Sequence, residues 1–265
     1  MKCRKKLGIC DMTTTSIAVS ATPLLRYVLQ HADDALVLGH RLSEWCGRAP
    51  MMEEDMALAN MGLDLIGQAR SLYDYAAKLE GNGRTEDEFA YLRDARDFGN
   101  LLLLEQPNGD FAQTIIRQFL YSAFIDLYWH ALMKSSDLTL AAIAAKAEKE
   151  SAYHLRHTSE WVVRLGDGTQ ESHNRAQRAL DKLWPYTGEL FATEDVVLGE
   201  IAPDPTTLHA AWLKTVTQII AHATLRLPQT GWMQNGGRSG VHTEHLGHLL
   251  AEMQILPRTY PGAVW

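Results

Sequence analysis

With 265 residues, 46% of them hydrophobic and 22% charged, the chain is long enough to bury one sizeable core, and disorder is not its default state. A formal net charge of −7, spread along the sequence, leaves no basic stripe of the kind that phosphate-backbone binding requires, so nucleic acid is excluded as an expected partner. Three cysteines, with Cys3 and Cys10 in the opening segment and only Cys46 inside a periodic one, fit a reducing, cytoplasmic setting rather than a disulfide scaffold.

The opening MKCRKKLGICDMTTTSIAVSAT starts basic, but Asp11 and a run of Thr interrupt any apolar segment that a signal peptide would need. Residues 1–21 read as a loose tail, with Met1 or Met12 as the start. No apolar run reaches the roughly 18 residues of a membrane span, so the expectation is a soluble protein without a membrane partner.

Beyond the tail, apolar residues recur at three and four and strict alternation is nearly absent, which predicts an all-α chain. The first helix takes Thr22 as its cap and Pro23 at its first position, runs to about Trp45 and ends at Gly47. The second follows Pro50 through MALANMGLDLIGQARSLYDYAAKLE and stops at Gly81. Residues 81–109 read as an irregular crossover with two short helical pieces. A third helix starts at Asp110, and a fourth starts near Asp137 and ends at Gly166. Further helices are expected over about 170–184, from the Asp204-Pro205 cap through LHAAWLKTVTQIIAHATL, and over roughly 243–256. Four long helices in two pairs joined by a long crossover describe a ferritin-like four-helix bundle, with additional C-terminal helices. No repeat or low-complexity stretch divides residues 22–265, which are read as one domain.

Polar residues inside an apolar helical stripe carry the functional information, because burying them is costly unless a partner or a metal satisfies them. On the fourth helix the stripe Leu140, Ala144, Ala147, Ser151, His154, Thr158 turns Ser151 and His154 to the core, with Glu150 one step off. On the third, Phe119, Ala123, Asp126, Trp129 and Met133 surround one carboxylate. The second places Gln68 between Leu65 and Leu72, and the first ends with Glu44 below Val37 and Arg41. Each has a plainer reading: His154 as a hydrogen-bonded core residue, Gln68 as a structural amide, Glu44 as a surface or ion-paired residue. The cluster HTEHLGH, with His242, His245 and His248, reads as a solvated helix start, although its spacing lets neighbours meet on one face. Phosphate loops, nucleophile elbows and paired cysteines are absent.

The segments LVLGHRLSEWCGRAP, MALANMGLDLIGQARSLYDYAA, NLLLLEQPNGDFAQTIIRQF, KESAYHLRHTSEWVVRLG, KLWPYTGELF and GVHTEHLGHLLAEMQ resemble the non-catalytic ferritin-like subunits of bacterial phenylacetyl-CoA epoxidase complexes, from about Leu25 to the C-terminus. The resemblance implies a role in aerobic phenylacetate degradation. It also implies a homologous catalytic partner that holds a di-iron centre and binds the CoA thioester, and other epoxidase components that include an NADPH-fed reductase. Set against the catalytic relative's ligand pattern, Glu44 and Asp126 keep the two carboxylate positions. Leu65 and Gln68 replace one E-x-x-H pair, and Ser151 and His154 stand where the other was. Three of six ligands are then lost, and the residues agree, since two carboxylates and one imidazole are half of what two divalent ions need. The implication is a subunit without catalysis, metal or cofactor of its own, iron residing in the partner, and self-association into a homodimer when alone. The alternative is an oxygenase in its own right, holding one Fe(II) on Glu44, Asp126 and His154.

Overall fold

The structure is a computed structural model that describes residues 16–193, 198–229, 231–261 and 263. Cys3, Cys10, Met12 and the rest of the tail as far as residue 15 lie outside the described residues. Among those described there are nine α-helices and no strand: α1 (Pro23–Ser43), α2 (Met52–Glu80), α3 (Glu86–Tyr91), α4 (Leu102–Glu105), α5 (Phe111–Leu132), α6 (Leu138–Gly166), α7 (Gln170–Leu183), α8 (His209–His222) and α9 (Glu244–Thr259).

Local chemistry sets most of the boundaries. The Thr22 hydroxyl accepts the Leu25 N–H with Pro23 at the first helical position, Asp110 caps α5 and Asp137 caps α6, each side chain satisfying an orphan N–H. Gly81 ends α2 at φ +72°, a left-handed conformation that a Cβ would oppose. The crossover carries the two short helical pieces that the sequence suggests, with a 3-10 turn between them. A Thr85–Glu88 capping box starts α3, a 3-10 turn spans Ala95–Asp97, and α4 follows.

Helices α1 and α2 form one antiparallel pair and α5 and α6 the other, with α2 and α6 in contact between them. The first pair closes on small residues: a Cβ on Gly39 would stand 3.2 Å from the Gly62 carbonyl. Helices α7 and α8 pack on α5, where the Trp212 indole N–H donates to the Leu120 carbonyl at 3.0 Å. One continuous apolar cluster runs from Leu25 on α1 to Leu250 on α9. Among the described residues no helix is long and apolar enough to cross a membrane.

Candidate functional site

The seam between α2 and α6 is a ladder of polar pairs. Gln68 donates through Nε2 to Glu150 Oε2 at 2.8 Å, His154 Nε2 lies 3.0 Å from Asp64 Oδ2, and His157 Nε2 lies 2.9 Å from Glu54 Oε2. Ser151 and His154 are buried on the inner face of α6, and Leu65 and Gln68 on that of α2, as their periodicity predicts. Glu150 sits one step off, with Lys146 at 3.7 Å. Of the partners, Glu150 was read as one step off its stripe, whereas Asp64, beside the α2 stripe, and Glu54, a buried continuation of it toward the helix start, went unread.

Glu44 and Asp126 do not join this group. In the first pair, the contact of Gly39 with Gly62 and the hydrogen bond from Tyr73 to Asp33 set an antiparallel register that brings Leu65 and Gln68 level with the Ala35–Gly39 stretch. Glu44 lies beyond it as the C-cap of α1, its side chain 40% exposed, bonded to Arg41 at 2.8 Å and to the Asn108 amide at 2.9 Å. In the second pair, Phe111 packs on Trp161 and Asp126 faces Glu148, so the residues level with Ser151 and His154 are Gln118 to Ala123. Asp126 is half-buried. Burial first, then the Glu148 charge, raise its pKa above the usual carboxylate value, with His130 opposing. The expectation that all six positions converge is therefore corrected, and the set Glu44, Asp126 and His154 does not come together for a single metal. Periodicity assigns a residue to a face but not to a level along the bundle axis.

Two iron ions need several carboxylates and imidazoles around one point. The inward side chains here are an aliphatic group, an amide, a hydroxyl and an imidazole already bonded to Asp64, and among the described residues no three His, Cys, Asp or Glu side chains gather as a metal requires. The donor set does not fit a di-metal centre. His242, His245 and His248 do not gather either. His242 turns inward to Glu105, while His248 is exposed.

The largest concentration of buried charge lies elsewhere. Asp33 and Asp34 on α1 have relative exposures of 0% and 1%. Asp33 pairs with Arg93 and accepts from the Tyr73 hydroxyl at 2.5 Å and the Gly99 N–H at 2.8 Å. Asp34 accepts from the Leu101 N–H at 2.8 Å and from Arg238 at 2.7 Å; burial dominates and pushes its pKa up to about 6, against the Arg238 charge. Glu105 holds Asn100, His242 and the Thr243 N–H, and Glu189 holds the N–H groups of Leu102, Gly236 and Gly237. These four carboxylates staple the crossover and the 236–243 segment to the bundle. The signal present in the sequence was the pair of aspartates in LQHADDALVL, on a helix buried on nearly every side.

A ferritin-like bundle with paired polar side chains along its α2–α6 seam defines the class. The chain belongs to the phenylacetic acid catabolic protein family, whose sequence profile it matches over residues 9–265. It is 52% identical over 246 residues to a subunit of the 1,2-phenylacetyl-CoA epoxidase of Escherichia coli (strain K12), an alignment that covers 91% of this chain and 99% of that relative.

Proposed function

We propose that this chain is a structural, non-catalytic subunit of a phenylacetyl-CoA epoxidase complex, pairing in the cytoplasm with a homologous subunit that holds the di-iron centre. The observation that carries this reading is the α2–α6 seam, where Gln68 is bonded to Glu150 and His154 to Asp64 beside a buried Ser151, so that these side chains are engaged across the seam instead of presenting ligands. What remains for such a bundle is recognition and support. Met52, Met56 and Leu63 stand on one stripe of α2 at 76%, 60% and 66% exposure, and an apolar stripe of this kind is suited to a partner helix.

The test is to purify the chain from iron-replete cells, alone and co-expressed with the catalytic subunit from the same organism, and to measure size and metal content. The expected result is a stable hetero-oligomer, with well under one iron per chain in this subunit alone. Two tightly held irons per isolated chain, or no association with the catalytic subunit, would overturn the proposal.

A further inference from the structure

The outward side of α2 carries a bounded apolar stretch with a symmetric spacing. Met52, Met56, Leu63 and Gly67 follow one another at steps of four, seven and four residues, so they fall within about 60° of one another on the helix surface. Met52, Met56 and Leu63 are exposed. Further along, the same line turns charged: Arg70 reaches Glu86, and Asp74 pairs with Lys78. Asn60, also exposed, stands beside the middle of the stretch.

Packing among the described residues does not account for Gly67. Gly39 and Gly62 let α1 and α2 approach closely, but a Cβ on Gly67 would meet nothing within 4 Å, and a glycine inside a helix is destabilising relative to alanine. An open glycine in line with exposed apolar side chains fits a neighbour that comes close to the backbone. The spacing identifies that neighbour. Four, seven and four reads the same from either end, so two antiparallel copies of α2, related by a two-fold axis between Ala59 and Asn60, set Met56 of each on Leu63 of the other. Met52 of each then lies over Gly67 of the other, large against small. The two Asn60 amides meet beside the axis, where a single polar pair fixes the register of a helix seam. Charge follows the same symmetry: Glu53, exposed and without an ion pair among the described residues, comes within about one turn of Arg70 of the second copy. A two-fold contact requires self-complementarity of this kind.

We infer that this stretch of α2 is a two-fold docking surface for a second copy of this chain, which pairs antiparallel through Met52, Met56, Asn60, Leu63 and Gly67 when the chain is alone. The flexible methionines fill the uneven space around the glycine. The inference rests on the reading of the α2 stripe as a recognition surface and adds its occupant and its register. Its test omits the catalytic subunit, so a failure here is distinct from a failure of the hetero-oligomer to form.

The experiment is sedimentation of the full-length chain alone, from micromolar to submillimolar concentration. The expected result is a monomer–dimer equilibrium that Leu63→Glu weakens by at least about tenfold, since an apolar contact at the centre of an interface carries much of its energy. Leu63 is exposed, so the melting temperature of the dilute variant should stay at the wild-type value. Gly67→Leu should act in opposite directions: it weakens the dimer by about tenfold by filling the gap over which Met52 lies, yet raises the melting temperature of the dilute chain because leucine favours the helix. A folding defect cannot produce both. The register is read by oxidation in a chain carrying Cys3→Ser, Cys10→Ser and Cys46→Ser. Added Asn60→Cys should form a disulfide with itself, whereas added Leu63→Cys should not, its two copies lying beyond disulfide reach. A chain that stays monomeric at submillimolar concentration would overturn the inference. So would a dimer indifferent to Leu63→Glu and Gly67→Leu, or self-oxidation of Leu63→Cys in place of Asn60→Cys.

Discussion

The α2–α6 seam and the α1 end of the molecule both bury carboxylates, and they do so on different terms. At the seam two of the three acids stay partly open to solvent and have few partners: Asp64, 36% exposed, faces His154, and Glu150, 19% exposed, accepts from Gln68 with Lys146 nearby, while only Glu54 is buried, against His157. At the α1 end Asp33, Asp34 and Glu105 are sealed from solvent, and each takes at least three hydrogen bonds, most of them from groups distant in sequence. A deeply buried charge is tolerable only when its whole coordination is filled, whereas a half-exposed one still shares its field with water. The seam can therefore be altered at low cost, while the α1 network holds the architecture.

The comparison is broken most severely by Arg93→Met. It strands the Asp33 carboxylate in the core and should cost about 3–5 kcal/mol, read from the midpoint of urea unfolding. A loss below about 1 kcal/mol would place this pair with the seam. An intermediate loss is expected from His242→Gln, and it should depend on pH. Burial alone would pull the His242 imidazolium down, but its bond to Glu105, the Phe98 carbonyl and the Glu105 charge outweigh burial and hold its pKa above the ordinary value. A histidine raised on folding contributes fully below its unfolded pKa of about 6.5 and loses that contribution as pH climbs through the folded value. The gap between wild type and His242→Gln should be about 1.5–3 kcal/mol at pH 5.5 and should narrow steadily above pH 7. A gap that widens with pH would reverse the assignment. The smallest effect is expected from Asp64→Asn, at roughly 0.2–1 kcal/mol because the acid itself is partly open to water and asparagine can still bond the buried His154, checked by the same unfolding curves.

Helix boundaries were legible because each is written in a few adjacent residues: Thr22-Pro23, Asp110, Asp137 and Gly81 act where the sequence places them, while Asp204-Pro205 starts a 3-10 turn over Pro205–Leu208 that leads into α8. The inward orientation of Gln68, Ser151 and His154 was legible for the same reason, since a helical face is a local property. The levels of Glu44 and Asp126 were not, because they depend on how far one helix slides along another. That slide is fixed by contacts such as Gly39 on Gly62 and Phe111 on Trp161. The α1 network was missed on similar grounds: two adjacent aspartates announce themselves, but their partners Arg93 and Arg238 lie 60 and 204 residues further on.

That last distance bears on how the chain is made. Asp34 sits in the first long helix, yet Arg238 emerges from the ribosome only after most of the protein has been synthesised. Until then the α1 helix carries an acid with no basic counterpart, and the crossover has no 236–243 segment to rest on. Pairings of such long sequence separation are slow to close. The bundle core can collapse early, but its α1 end completes last, so a nascent chain stalled before residue 238 should be open to proteases at the crossover even while its four long helices are formed.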